Sequence, residues 1–226
     1  MGDELDDMTE SMSGAMSLDG DSNKLAAFYA DWASYYDEDV ATHGYGMPGM
    51  VVEALERAIE VLGADSLDRS RARVVDAGCG TGLVGQALHD HGWHNLHGVD
   101  LSPEMVEEAR ERGIYDTLTG GVDLTVPVSA ELAGSADVVT VGGLFTVGHV
   151  PPEALAVMAG IARPGGLLVL STRQAYHQDT DFVAVSEQLV YDGVLELLVR
   201  IAEAPYTMDS TGDYWAYQVN PGASER

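Results

Sequence analysis

The chain has 226 residues, of which 46% are hydrophobic and 21% charged, and a formal net charge of −26. This size and composition fit one globular domain with a tail, while the negative charge would repel phosphate backbones and argues against nucleic acid as a partner. No apolar run approaches the roughly 18 residues that a membrane span needs, and the single cysteine, Cys79, excludes an internal disulfide and favours a reducing, cytoplasmic location.

The first 50 residues predict a tail followed by a helical lid. Residues 1–22 are acidic and have no hydrophobic period, which predicts disorder, so we expect a single domain over 23–226. Apolar and aromatic residues recur at helical spacing over 24–39, and the lid is predicted over 23–50. Glycines and Pro48 then indicate a break, and helical spacing over 51–62 predicts a second helix, which Gly63 ends.

The rest of the chain alternates between strand and helix patterns. Strands are predicted over 73–76, 95–100, 115–123, 136–141 and 167–171. Helices are predicted over 83–91, 103–112 and 151–162, with a turn over 163–166. This alternation predicts an α/β, doubly wound fold with a mostly parallel sheet. A helix over 181–191 and an antiparallel hairpin of strands 195–202 and 214–219 follow, so the domain divides into a cofactor-binding core over 70–173 and a C-terminal helix and hairpin over 174–226.

A glycine-rich turn follows the first predicted strand. Gly78, Gly80 and Gly82 allow a sharp turn and a close approach of the backbone to a ligand, at the sheet edge where doubly wound folds bind ligands. Asp76 ends the strand, where an unpaired carboxylate would be costly to bury, so a cationic ligand group would explain it. Asp100 ends the next strand and has the acceptor atoms for two ribose hydroxyls. The glycine spacing alone also matches a dinucleotide fingerprint.

Three segments together are similar to the class I S-adenosylmethionine-dependent methyltransferases. They are Asp76-Ala-Gly-Cys-Gly-Thr-Gly82, Gly98-Val-Asp-Leu-Ser-Pro-Glu-Met105 and Arg163-Pro-Gly-Gly-Leu-Leu168, in the family's order and spacing. The resemblance extends from about residue 28 to the C-terminus. It implies a seven-stranded Rossmann-like sheet in the order 3-2-1-4-5-7-6 with strand 7 antiparallel, S-adenosylmethionine as cofactor and S-adenosylhomocysteine as product. Residues 142–152 also resemble the Williams–Beuren-region methyltransferase-like proteins, whose substrates are poorly defined.

The same resemblance implies a set of cofactor contacts. Asp100 would bind the ribose hydroxyls, Asp123 would accept from the adenine amino group, and Gly142 and Gly143 would border the sulfonium. Tyr36 matches the tyrosine that closes over the cofactor in a Trp-Ala-x-x-Tyr-Asp segment. The full expected set is Tyr36, Asp76, Gly78, Cys79, Gly80, Asp100, Leu101, Met105, Asp123, Leu124, Gly142 and Gly143.

Methyl transfer from a sulfonium mainly requires that the nucleophile is held near the methyl group and that water is excluded. A general base is needed only when the nucleophile arrives protonated. His149, after the fourth strand, is a candidate base or substrate contact, although a packing role in its loop explains it equally well. Tyr36 is the second candidate catalytic residue. The candidate substrate contacts are Trp32, His43, Tyr45, Phe145, His149 and Arg173.

Two other functions stay open. A NAD(P)-dependent oxidoreductase would use the same loop, but its short-chain versions use a Tyr-x-x-x-Lys pair, and Lys24 is the only lysine. A cofactor-binding module without catalysis would also keep the loop. We expect a small-molecule acceptor, because little of the chain lies beyond the core, and a monomer or homodimer. No metal site is predicted, because the histidines of the second strand region do not share one face: His89, His91, His94 and His97.

Overall fold

The computed structural model describes residues 20–63 and 67–220. It begins with the helices α1 (Ser22–Trp32), α2 (Tyr36–Thr42) and α3 (Met47–Leu62), with one 3₁₀ turn (Ala33–Tyr35) between α1 and α2. The alternating region follows as β1 (Val74–Ala77), α4 (Leu83–Asp90), β2 (Leu96–Val99), α5 (Pro103–Glu111), β3 (Thr117–Thr119), β4 (Ala136–Phe145), α6 (Ala154–Ala159) and β5 (Ala162–Arg173). The C-terminal part contains α7 (Gln174–Asp179), α8 (Phe182–Tyr191), β6 (Leu195–Thr207) and β7 (Ser210–Val219).

The strands form one sheet in the order β3-β2-β1-β4-β5-β7-β6. Strands β1 to β5 pair in parallel, whereas β7 is antiparallel to both β5 and β6. The predicted fold class, strand order and antiparallel hairpin are therefore confirmed. Because parallel strands share one direction, the ends of β1, β2 and β4 meet at the same edge of the sheet, where the glycine turn also lies.

Both faces of the sheet are covered, which explains why its central strands are apolar along their whole length. One face packs against α3 and α4, with Leu55 and Leu88 fully buried. The other face packs against α6, α7 and α8, with Met158 and Phe182 fully buried. All four residues of β1 are buried, including Asp76, so this strand is rigidly held beneath the glycine turn. No helix within the described ranges is long and apolar enough to cross a membrane.

Two of the predicted helices in the N-terminal region were wrong in their bounds. The helix predicted over 51–62 begins at Met47, because Pro48 lies in the first turn, where a missing N–H costs nothing and a fixed φ favours the helix. The helix predicted over 24–39 is interrupted after Trp32, whose indole N–H donates to Asp39 Oδ2 at 2.8 Å across the break. Of the predicted tail, residues 1–19 lie outside the described residues, and Ser22 already belongs to α1.

Pairing between β4 and β5 corrects two further bounds. The turn predicted over 163–166 is part of β5, because Ala136 pairs with Ala162 and a register shift then leads to the Val138–Leu167 pair. Between these two pairs β5 advances by five residues and β4 by two, so the shift accommodates three extra residues of β5. The helix predicted over 151–162 is limited to Ala154–Ala159 for the same reason, and α7 was not predicted.

Helix α3 offers a matched pair of substitutions that tests this packing. Leu55 is 0% exposed against the sheet, whereas Val61 in the same helix is 61% exposed. We expect Leu55→Ala to lower the free energy of unfolding by about 2–5 kcal/mol because it leaves a cavity. Val61→Ala should change it by no more than about 0.5 kcal/mol. Urea unfolding followed by circular dichroism measures both, and equal effects would contradict the packing of α3.

Candidate active site

A cavity lies at the carboxyl edge of the sheet, beneath α1, which is the position where doubly wound folds bind ligands. The structure brings together these predicted site residues as its lining: Tyr36, Gly78, Gly80, Asp100, Leu101, Met105, Asp123, Leu124, Gly142, Gly143 and His149. The rest of the lining, which the sequence did not indicate, is Ser22, Leu25, Tyr29, Val122, Thr125, Leu144 and Val150.

The glycine turn forms one wall from backbone atoms. The amide groups of Gly78 and Cys79 both donate to the carbonyl of Val99, at 2.8 and 3.0 Å, and so tie the turn to β2. Gly78 and Gly80 have φ of +75° and +52°, a region that side chains disfavour. A Cβ on Gly80 would meet no atom within 4 Å, in agreement with a position on the open cavity. This bare stretch of backbone fits the methionine part of the expected cofactor.

Asp100 is held in place by backbone amides on both sides. Its Oδ2 accepts from Gly80 N and its Oδ1 from Ser102 N, each at 2.8 Å. Burial raises the pKa of Asp100 above its usual value, and the amide hydrogen bonds oppose this rise. A carboxylate has about four acceptor positions, so these amides leave acceptor capacity for hydroxyl groups in the cavity. The arrangement fits a ribose with two adjacent hydroxyls.

Asp123 forms the far wall, beside apolar side chains from Leu101 and Met105. Its Oδ1 accepts from Thr125 N at 2.8 Å and Thr125 Oγ1 at 2.6 Å, and its Oδ2 accepts from Ser22 Oγ at 2.8 Å. Burial raises the pKa of Asp123, but these hydrogen bonds outweigh it and hold the pKa below its usual value. Oδ2 keeps one acceptor position, which fits an adenine amino group.

Asp76 does not line the cavity. The prediction that a cationic ligand group explains its burial was therefore wrong. Its side chain is only 1% exposed and has partners within the protein. Tyr115 Oη donates to Oδ2 at 2.7 Å, and Thr140 Oγ1 donates to Oδ1 at 2.9 Å. Gly85 makes room for this contact, because a Cβ there would lie 2.0 Å from Tyr115 Oη. No cationic ligand group is needed to explain the burial of Asp76.

Tyrosine hydroxyls close the end of the cavity beside Gly143. Gly143 has a φ of +79°, and a Cβ there would lie 3.2 Å from Tyr45 Oη and 3.6 Å from Tyr206 Oη. Tyr36 is a hydrogen-bonding neighbour of Tyr45, and Tyr206 is a neighbour of both Tyr45 and Ser171. Burial raises the pKa of all three tyrosines, so their hydroxyls stay neutral donors at pH 7.

His149 borders the same end and is paired with Tyr29 of α1. Nδ1 lies 3.2 Å from the Val147 carbonyl, which only accepts, so Nδ1 carries the proton. Nε2 is therefore the acceptor for Tyr29 Oη at 2.5 Å. Burial lowers the pKa of His149 to about 4, and the charge of Arg173 also acts to lower it. The imidazole is consequently neutral at pH 7.

Two predicted contacts lie in packed regions instead of the cavity. Phe145 was predicted to contact substrate, but it is buried in the core, with its ring 5.2 Å from that of Phe182. Cys79 was predicted to contact cofactor, but its Sγ faces β2 and would lie 2.9 Å from a Cβ on Gly98. Its thiol is buried, and burial raises its pKa well above the usual value.

Three further candidates surround the cavity without lining it. Trp32, at the end of α1, packs its ring 4.7 Å from that of Tyr36. His43 Nδ1 lies 2.9 Å from the Asp39 carbonyl, at the end of α2. Arg173 places its guanidinium 5.1 Å from the centre of the Tyr206 ring. Of these three, Trp32 lies beside Tyr36 and Arg173 lies beside Tyr206, so both border the tyrosine cluster.

Comparison with known proteins agrees with this geometry. A family model described as a methyltransferase domain matches residues 49–223. The chain belongs to this methyltransferase family. Methyltransferase-like protein 27 of Homo sapiens is 37% identical over 150 residues, which are 65% of this chain and 56% of that protein. The chain spans about half the length of the curated relatives it matches.

Solved structures support the same fold for this methyltransferase. A TehB-like S-adenosylmethionine-dependent methyltransferase from Corynebacterium glutamicum superposes with a TM-score of 0.59 at 21% identity, covering 86% of this chain and 99% of that one. Magnesium protoporphyrin IX methyltransferase from Synechocystis PCC 6803, solved with S-adenosylmethionine bound, has a TM-score of 0.54 at 21% identity. The superposition covers 76% of this chain and 80% of that one. The family decides between the two cofactors that the glycine turn left open: the cofactor is S-adenosylmethionine.

Replacement of Asp100 tests the ribose contact. We expect Asp100→Ala to weaken S-adenosylhomocysteine binding by roughly 1.5–3 kcal/mol, or about 10- to 150-fold, because charge-assisted hydrogen bonds are lost. Isothermal titration calorimetry measures the affinity. Asp116→Ala, an exposed aspartate ahead of β3, is the matched control and should bind normally. Unchanged affinity in a folded Asp100→Ala protein would mean that the ribose lies elsewhere.

The raised pKa of Asp76 predicts a pH dependence of stability. Burial raises this pKa from 3.8 to about 6, against the hydrogen bonds from Tyr115 and Thr140. Between these pH values the folded protein keeps a proton that the unfolded chain has released, so stability falls as pH rises. Relative to Asp76→Asn, the wild-type free energy of unfolding should fall by about 3 kcal/mol in total between about pH 3 and pH 7, with about 2 kcal/mol of this between pH 4 and pH 6, and stay level above about pH 7. Urea titrations at several pH values measure it, and a constant difference would contradict the raised pKa.

Proposed function

We propose that this methyltransferase transfers a methyl group from S-adenosylmethionine to a small-molecule acceptor by in-line displacement. The observation that carries the proposal is the position of α1 over the cavity. Ser22, Leu25 and Tyr29 of α1 line the cavity together with Tyr36, Leu144 and His149, and a site covered by a helix favours a small acceptor over a polymer. A structural neighbour, the Synechocystis enzyme, is named for a small-molecule substrate, magnesium protoporphyrin IX.

Some residues of the cavity would hold the cofactor, and others would exclude water. S-adenosylmethionine supplies an activated methyl group on a sulfonium. Asp100 and Asp123 would hold the nucleoside, and the backbone at Gly78 and Gly80 would hold the methionine part. Leu25 of α1 is buried above this cleft, and its apolar side chain keeps water from the reacting atoms.

We propose that His149 acts on the acceptor through Tyr29. Because Nε2 of His149 is already occupied by Tyr29 Oη, a proton from an acceptor hydroxyl would pass to Tyr29 Oη while the tyrosine proton passes to Nε2. The acceptor oxygen forms its bond to the methyl carbon as the carbon–sulfur bond breaks, and the bonding electron pair stays on sulfur. The imidazolium returns its proton to solvent after the lid opens. Tyr36 would orient the acceptor from the neighbouring position.

The charges around the cavity suggest the polarity of the acceptor. The carboxylates Asp100 and Asp123 lie at the nucleoside end. The other end has neutral tyrosine hydroxyls beside Gly143, and the cation Arg173 lies against Tyr206. Hydroxyl donors next to a guanidinium favour an oxygen-rich or anionic acceptor group over an amine. We therefore include Arg173 and Tyr45 in the proposed acceptor site.

A fractionated cell extract tests this function. We expect the protein and S-adenosylmethionine to form S-adenosylhomocysteine with the ultrafiltered small-molecule fraction, because the covered cavity admits a small acceptor. Mass spectrometry would detect both the cofactor product and the methylated metabolite.

The retained macromolecular fraction, tested in parallel, should give no product above the Asp100→Ala background. Methyl incorporation into that fraction alone would overturn the small-molecule proposal. If neither fraction supports turnover while the cofactor binds, the chain acts instead as the catalytically silent binding module.

A further inference from the structure

In the structure the lid comprises residues 20–42, in place of the predicted 23–50, and it makes polar contacts with the walls of the cavity. At the adenine end, Ser22 Oγ donates to Asp123 Oδ2 at 2.8 Å. Beside it, the backbone amide of Gly20 donates to the carbonyl of Gly148 at 2.9 Å. The start of α1 is thus attached to two different loops, one following β3 and one following β4. Closing the lid therefore fixes the position of both loops.

The middle of the lid is attached at the acceptor end. Tyr29 reaches His149 with its hydroxyl, and its ring stacks on Trp32 at 5.9 Å between centres. Phe28 packs edge-on against both rings. Tyr29 therefore has a preorganised orientation as long as α1 is folded against the cavity.

The end of the lid is attached to the glycine turn. Thr81 Oγ1 donates to Asp37 Oδ1 at 2.6 Å, and Arg112 Nε donates to the carbonyl of Thr81 at 2.5 Å. Arg112 and Asp37 also form an ion pair. This third attachment joins the lid to the wall that would hold the methionine part of the cofactor.

We propose that Ser22 and Tyr29 are cofactor-positioning residues, which lock the lid over the bound cofactor through Asp123 and His149. The inference rests on the proposed position of the cofactor in this cavity. One carboxylate oxygen can accept from both Ser22 and an adenine amino group, so the two contacts do not compete. Lid closure and cofactor binding then stabilise each other, and by linkage each strengthens the other equally. The cofactor leaves only when the lid opens.

The sequence contains a reporter for lid opening. Lys24, the only lysine in the chain, lies on α1 between the two positioning residues. A lysine-specific endoproteinase therefore has one cleavage site in this chain, and because Lys24 lies within a helix, cleavage there requires local unfolding of α1. We expect saturating S-adenosylhomocysteine to slow this cleavage roughly 5- to 150-fold, the usual range of coupling between sites. Electrophoresis would follow the loss of intact chain.

Substitutions then separate positioning from simple helix stability. Ser22→Ala and Tyr29→Phe should speed cleavage, reduce the protection by S-adenosylhomocysteine, and raise its dissociation rate in stopped-flow displacement. Ser34→Ala and Tyr35→Phe, which change exposed residues of the same lid, are matched controls and should behave like wild type. Cleavage rates in urea normalise any effect of sequence on the protease.

Different results would overturn the lid inference and the proposed function. Normal binding of S-adenosylhomocysteine with unchanged cleavage at Lys24 would overturn the lid inference and leave the proposed function intact. If S-adenosylhomocysteine dissociates from Ser22→Ala and Tyr29→Phe at the wild-type rate, the proposal that these two residues position the cofactor is overturned, and the proposed function again stays intact. Failure of the wild type to bind S-adenosylhomocysteine would overturn the cofactor position, and with it the proposed function.

Discussion

The site depends on one constraint, the fixed carboxylate of Asp100 at the end of β2. Its two oxygens are held by Gly80 N in the turn after β1 and by Ser102 N at the start of α5. One side chain therefore joins two parallel strands at the sheet edge and determines how far apart the glycine turn and the following loop lie. Because these bonds come from backbone amides, the carboxylate keeps its orientation when the cavity is filled.

Charge is distributed unequally around the cavity, and burial explains most of the difference. Asp100 lies where amide groups compensate its charge, whereas Asp76 below it is enclosed and has a pKa raised to about 6. His149 is also buried, Tyr29 is half-buried, and both are neutral at pH 7. The two carboxylates Asp100 and Asp123 therefore lie at one end of the cavity, and the neutral tyrosine hydroxyls and His149 lie at the other, with Arg173 beside them. The net charge of −26 does not extend as an acidic lining into the acceptor end.

The sequence predicted the helices and strands of the core correctly where neighbouring residues alone decide the local structure. Alternating strands and helices predicted a mostly parallel sheet, whereas the strand order came from the family resemblance. Ser102 with Pro103 marked the start of α5, and Met105 N donates to the capping Ser102 Oγ there. Failures occurred where distant pairing decides the outcome. Pro164 lies within β5 because β4 pairs across a register shift. Asp76 is satisfied by Tyr115, 39 positions away, and hydrophobic period does not reveal such a partner.

The contacts of the lid with the site could not be predicted from the sequence for the same reason, because they join distant parts of the chain. Motifs indicated the residues of the sheet edge, since glycines and carboxylates at strand ends have a recognisable spacing. Ser22 and Tyr29 carry no motif, and the acidic composition before residue 23 pointed to a tail. Their function depends on contacts made 101 and 120 positions further along the chain. A cofactor site in this fold is thus only partly encoded by its motifs, because the wall that closes it comes from a segment whose sequence is constrained mainly by what it touches.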